Sequence, residues 1–232
     1  MNLKSQKFIL INWIITIISI LGMLTLMAVN VFTKDANDIF KSSYESIVEV
    51  KAYSDTNSAS YGTGVIVTKD GNIITNAHVV LNVDEEVHTH VEVRFANKTI
   101  YEPVDVVRYD KQNDLALLKL DGDNFKYIKS STKYDYGDKV YAIGNANNLG
   151  LSITEGIIAN PKLQVNVSGF KRTTIQCDLT INDGNSGGAL LDKRGRLIGI
   201  TTFRMKDGSG QVIQGLSYSV PIEIVENFYK FN

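Results

Sequence analysis

The chain has 232 residues, 44% of them hydrophobic and 21% charged, with 24 basic against 25 acidic side chains and a formal net charge of −1. The charges are interspersed and no long basic block occurs, which argues against a nucleic-acid partner. One cysteine, Cys177, excludes an intramolecular disulfide framework, and about 200 residues bury an adequate core without one.

From Phe8 to Phe32 the chain carries no charge, and a helix needs only about 20 apolar residues to cross the hydrocarbon core of a bilayer. A cleavable secretory signal has an apolar region of about 7–15 residues followed by a small-residue cleavage site. This stretch is longer, and no Ala-x-Ala follows it. Lys4 and Lys7 precede it while Lys34, Asp35 and Asp38 follow, a distribution that puts the N-terminus inside and the remainder outside. The expectation is a single-pass signal anchor over 8–32 in the cell membrane, with a cytoplasmic tail over 1–7, a linker over 33–45 and an extracytoplasmic domain beyond. Secretion after signal cleavage stays open as a rival, because Met23 to Asn30 contains small residues.

Short β-branched runs then recur, separated by Asp, Asn, Gly and Lys turn signals. They are Val65–Thr68, Ile73–Asn76, Val91–Phe95, Val104–Tyr109, Leu115–Leu120, Val140–Ile143, Ser152–Ile158, Thr173–Leu179, Leu190–Asp192 and Leu197–Phe203. Leu190 to Phe203 reads as a hairpin around Lys193-Arg194-Gly195. The pattern predicts an all-β domain of antiparallel barrels or a sandwich. At the C-terminus, Pro221 precedes Ile222, Val225, Phe228 and Tyr229, which fall on one face of a short amphipathic helix.

Within this frame a histidine, an aspartate and a serine stand in order, each in a distinctive setting. They are Thr75-Asn76-Ala77-His78-Val79-Val80, Asn113-Asp114-Leu115-Ala116 and Gly184-Asn185-Ser186-Gly187-Gly188. A serine hydroxyl is too weakly acidic to attack a carbonyl unaided. An imidazole must take its proton, and a buried carboxylate must hold that imidazole in the right tautomer. Each residue alone has a bland alternative: Ser186 as a turn serine, His78 packed among Ala77, Val79 and Val80, Asp114 closing a turn before a strand. Jointly they point to nucleophilic hydrolysis. Cys177, in the apolar run Thr174–Leu179, reads as a buried structural thiol. His88 and His90 share a face if they lie on one strand, and with no third ligand at a defined spacing they read as exposed histidines in a solvated loop, so no metal is expected. No cofactor is expected either.

These segments, together with Gly62-Thr63-Gly64-Val65-Ile66-Val67, Ala142-Ile143-Gly144-Asn145, Thr154-Glu155-Gly156-Ile157-Ile158, Leu197-Ile198-Gly199-Ile200 and Gly215-Leu216-Ser217-Tyr218-Ser219-Val220-Pro221, resemble the chymotrypsin-like serine proteases, and within them the HtrA/Deg branch. The resemblance runs from about Ser60 to Pro221. It implies two six-stranded antiparallel β-barrels, over 46–125 and over 126–232 with the C-terminal helix, meeting near Asp121–Asp138. His78 and Asp114 would come from the first barrel and Ser186 from the second. The backbone amides of Gly184 and Ser186 would form the oxyanion hole. Asn185 stands where zymogen-activated relatives carry an aspartate, so activation by a freed N-terminal amine is not expected. The substrate pocket would be walled by Ile181 and Asn182 on one side and Thr201, Thr202 and Phe203 on the other. That composition favours a small or medium apolar side chain, although Asp183 would favour a basic one if it pointed inward. Better-known HtrA proteins continue into PDZ domains; here Pro221 leads into the helix-like stretch from Ile222, and no PDZ domain is expected. The branch also implies a homo-oligomer, a trimer, but its trimer contacts use residues just before the protease domain, here a short membrane-proximal stretch. The expected activity is a serine endopeptidase acting on proteins or peptides at the outer membrane face, in quality control or processing. A catalytically silent, chaperone-like binder is the alternative.

Overall fold

A computed structural model of the chain describes residues 3–32, 34–55, 58–167, 169–206 and 212–230. The chain divides into two units, 1–35 and 36–232.

The first unit is helix α1 (Leu3–Phe32). Its stretch Ser5–Thr25 has a mean hydropathy of 2.3 and is long and apolar enough to cross a membrane. The hydroxyls of Thr16 and Ser19 donate to the carbonyls of Asn12 and Ile15, at 2.9 Å each. Those side chains are thereby satisfied within the helix, as an apolar surrounding requires.

The second unit opens with α2 (Ala36–Ser43). So short a helix is marginal alone. Ile39, fully buried in the main apolar cluster, anchors it, and burying one such side chain is worth roughly 1.5–3 kcal/mol. The stretch expected as linker thus contains a docked helix.

A curled antiparallel sheet follows: β1 (Ile47–Asp55), β2 (Ser58–Ile66), β3 (Asn72–Thr75), the short helix α3 (Ala77–Val80), β4 (His90–Phe95), β5 (Glu102–Pro103), β6 (Asp105–Asp110) and β7 (Leu115–Lys119). Its spatial order is β5-β4-β1-β2-β3-β7-β6. The edge strands β5 and β6 are separated in the chain by Val104 alone, so the sheet curls almost back on itself. The expected closed six-stranded barrel is here a seven-stranded sheet with an open seam. Pro103 at that seam has no N–H to give a neighbour.

The other sheet contains β8 (Lys139–Gly144), β9 (Ser152–Val167), β10 (Phe170–Cys177), β11 (Ala189–Asp192), β12 (Leu197–Lys206) and β13 (Val212–Pro221). These form a closed barrel in the order β10-β13-β12-β11-β8-β9, as expected. Strand β9 pairs with β8 over Ser152–Ile157 and continues as a long hairpin with β10. Pro161 is accommodated near the slip in the β9–β10 register between Thr174 and Gln176. Helix α4 (Ile222–Lys230) follows β13. It buries Ile222 and Val225 in a cluster that takes Val65 and Leu115 from the open sheet and Ile143 and Ile200 from the barrel. Arg108 of β6 lies 4.9 Å from the Phe228 ring, so α4 packs on both sheets and not on the second alone.

Candidate active site

Strand β3 ends at Thr75 and delivers the chain into α3, which carries His78 at its start. Asp114 sits at the end of the β6–β7 turn with φ 57°, a left-handed conformation that Asp adopts more readily than most residues. Asp110 shapes this turn, accepting from the Asn113 backbone N–H at 3.0 Å and side-chain amide at 2.7 Å. The Asn76 amide donates to the Asp114 carbonyl at 2.7 Å, fastening the two segments together.

The Asp114 carboxylate is 5% exposed and well served. His78 Nδ1 lies 2.8 Å from Oδ2 and 3.1 Å from Oδ1, and the His78 backbone N–H donates to Oδ1 at 3.1 Å. The Thr202 hydroxyl donates to Oδ2 at 2.6 Å. Burial pushes this carboxyl up, but the hydrogen bond and charge of His78, with Thr202, outweigh it and hold it below its ordinary value. An ionised carboxylate on Nδ1 favours that nitrogen as the N–H and leaves the lone pair on Nε2. The His78 side chain is half exposed and lines the cleft.

Ser186 stands on the turn before β11. The turn is stapled to the open sheet by Thr63, whose N–H donates to the Ser186 carbonyl at 2.8 Å and whose hydroxyl donates to the Gly184 carbonyl at 2.7 Å. Gly184 has φ 91°, and a Cβ there would lie 2.2 Å from the Asn145 carbonyl oxygen. Gly187 has φ 85°, and its Cβ would lie 2.0 Å from the Thr63 carbonyl oxygen. Both positions therefore demand glycine. Among the described residues, the amides of Gly184 and Ser186 donate no hydrogen bond, whereas those of Asn185, Gly187 and Gly188 all do. The Ser186 hydroxyl donates to the Thr202 carbonyl at 3.0 Å, not to His78.

One cleft of about 380 Å³ brings together His78, Asp114 and Ser186 with Ile181, Asn182, Thr202 and Phe203. Thr201, expected in its wall, is buried elsewhere, its hydroxyl donating to the Asn185 carbonyl at 2.6 Å. Asp183 does not point inward: its side chain is 95% exposed and pairs with Arg204 at 2.9 Å. A second, larger cleft on the other side of His78 is lined by the loop after α3, Lys111 and Phe170. His88 is not the exposed residue expected. It is buried, its Nδ1 lying 3.1 Å from the Ser54 hydroxyl, while His90 begins β4 and is exposed. The two share no face because His88 precedes the strand. Among the described residues no cluster suits a metal. Cys177 is buried, and burial, with Asp178 nearby, pushes its thiol up to about 12.

Sequence reasoning gave Thr202 only a pocket role and gave Thr63 and Arg172 none. Thr63 lies between glycines in a strand, a pattern that marks close backbone approach. Nothing local marks Arg172.

With this geometry in place, the likenesses to known proteins are specific. The trypsin-like peptidase domain matches residues 62–200, and the chain belongs to that family. Within it the chain is HtrA/Deg-like. Serine endoprotease DegS of Haemophilus influenzae is 40% identical over 169 residues, covering 72% of this chain and 48% of that protein. The serine endoprotease of Yersinia pestis superposes with a TM-score of 0.71 at 29% identity, covering 85% of this chain and 66% of that one. The HtrA-type protease AlgW, solved with a tripeptide, gives 0.74 at 26% identity, covering 85% and 63%. The chain spans about half the length of the curated DegS relative.

Proposed function

We propose that the chain is a membrane-tethered serine endopeptidase, with Ser186 as nucleophile, His78 as general base and acid, and Asp114 as the carboxylate that orients it. The observation that carries this reading is the single cleft in which a buried carboxylate, held low and bonded to Nδ1 of a half-exposed histidine, meets a serine on a glycine-bounded turn. The likeness to serine endoproteases supports it.

For attack, the Ser186 side chain turns from the Thr202 carbonyl towards His78 Nε2, which takes its proton as Oγ bonds to the substrate carbonyl carbon. The resulting oxyanion is received by the idle amides of Gly184 and Ser186, each worth roughly 2.7–4 kcal/mol of barrier. His78 then hands its proton to the leaving amine, and water attacks the acyl-enzyme by the same route in reverse. Buried Ile181 with Phe203, and Asp183 tied outward to Arg204, favour a small or medium apolar side chain in the pocket. Helix α1 would hold the active site at the outer membrane face, within reach of membrane-proximal or exported proteins.

The test is digestion of an unfolded, dye-labelled protein by the full chain in detergent micelles. Fragments that disappear with Ser186→Ala support the reading. Fragments unaffected by that change, or none from wild type across pH 6–9, contradict it.

A further inference from the structure

Among the described residues, Arg172 is the one cation paired with the buried carboxylate from the barrel side. It lies on β10, in the long hairpin with β9, opposite Val165. Its side chain is only 12% exposed, and Nη1 is 3.7 Å from Asp114 Oδ2. Two of its N–H groups are committed elsewhere: Nε to the Gln112 carbonyl at 2.7 Å and Nη2 to the Lys111 carbonyl at 2.9 Å. Both carbonyls belong to the β6–β7 turn that presents Asp114. A planar guanidinium satisfying two successive carbonyls while facing a carboxylate is a geometry that lysine, a point donor on a flexible stem, cannot reproduce. Arg172 also lines both clefts flanking His78.

We propose that Arg172 is a positioning residue that fixes the acid-bearing turn to the β9–β10 hairpin and, through its charge, weakens the hold of Asp114 on a protonated His78. This rests on the proposed triad. The first effect keeps a left-handed Asp114 aimed at Nδ1 across the boundary between the two sheets. The second follows from Coulomb's law. A carboxylate 3.7 Å from a guanidinium has part of its charge offset and attracts a neighbouring imidazolium less strongly. It also makes the hairpin a route by which the β9–β10 tip, whose Val167 and Phe170 line the two clefts, bears on the acid.

The test is the second-order rate of fluorophosphonate labelling of the full chain in detergent, followed from pH 5 to 9 for wild type, Arg172→Lys and Arg172→Ala. The other charged groups lining the clefts, Asp84, Glu85, His88 and Lys111 on one side and Asp183 and Arg204 on the other, are unchanged throughout. Arg172→Ala is expected to label about 10–100-fold more slowly, with its acid limb displaced to higher pH by about one unit. Arg172→Lys, which keeps the charge and loses the paired carbonyl bonds, is expected to slow labelling with the limb unmoved. Wild-type rates and limbs in both variants overturn the inference. So does a slowed Arg172→Ala whose limb stays in place, since that is the behaviour of a merely structural residue. If Arg172→Ala does not fold, Arg172→Gln, which keeps hydrogen-bonding capacity and loses the charge, decides: a slower rate with the limb at higher pH supports the proposal, and a limb that stays in place overturns it. Absence of Ser186-dependent labelling in wild type would refute the triad itself, a result distinct from either.

Discussion

On the open sheet, the Asp114 carboxylate already has its partners: two N–H groups of His78, the Thr202 hydroxyl and a guanidinium nearby. On the barrel, Ser186 is turned to a backbone carbonyl, the amides of Gly184 and Ser186 donate to nothing among the described residues, and the pocket mouth carries an exposed Asp183 paired with a partly buried Arg204. The proposed acid–base half is assembled by folding, because a buried carboxylate without donors would be costly. On the proposed reading, the nucleophile half is left for the substrate to complete, because donors satisfied in the resting state would be useless to a developing oxyanion. Thr202 belongs to both halves, its hydroxyl serving the acid and its carbonyl the serine.

Substitutions on the two sides should therefore fail differently. Asp114→Asn keeps the shape and tolerates the left-handed backbone but offers His78 the wrong tautomer, so kcat should fall by about 10⁴-fold, read by peptide hydrolysis alongside an unchanged far-ultraviolet spectrum. Gly184→Ala, at φ 91° and against the Asn145 carbonyl, should displace one oxyanion donor and lower kcat by about 10²–10³-fold with little change in KM. Thr202→Val removes a buried hydrogen bond to a charged group, about 1.5–3 kcal/mol, and should lower kcat/KM by about 10–100-fold. If Thr202→Val proves as damaging as Asp114→Asn, the division into an assembled half and a waiting half is wrong.

The assembled half also has a stability signature. The Asp114 carboxyl is held below its ordinary 3.8, so its contribution is complete above that pH and fades as the pH falls below it. Urea midpoints measured from pH 6 down to 3 should decline for wild type, and the decline should be shallower in Asp114→Asn. The smallest effect belongs to Cys177. Its thiol, pushed up to about 12 by burial, should resist iodoacetamide in the native chain and react once urea unfolds it.

Most of this arrangement was legible because each member of the proposed triad sits in a local sequence with its own signal, and because β-branched runs mark strands whether or not their partners are known. Strand β1 was not among those expected, although Val48, Val50 and Ala52 alternate with Glu49 and Lys51. A buried Glu49, bonded to Arg94 Nε at 2.9 Å, breaks the equation of charge with surface. The open seam of the first sheet was hidden because a single Val104 between β5 and β6 gives no sign that they lie on opposite edges. The roles of Thr63, Thr202 and Arg172 were hidden for one shared reason: each acts on residues far away in the chain, and the fold alone brings them together.

The most direct test of the account is intact-mass analysis of the full chain after reaction with a fluorophosphonate, beside Ser186→Ala and His78→Ala. A single adduct on wild type, mapped to Ser186 and lost in both variants, is the predicted result. An adduct that survives Ser186→Ala, or that forms at the same rate without His78, would contradict it.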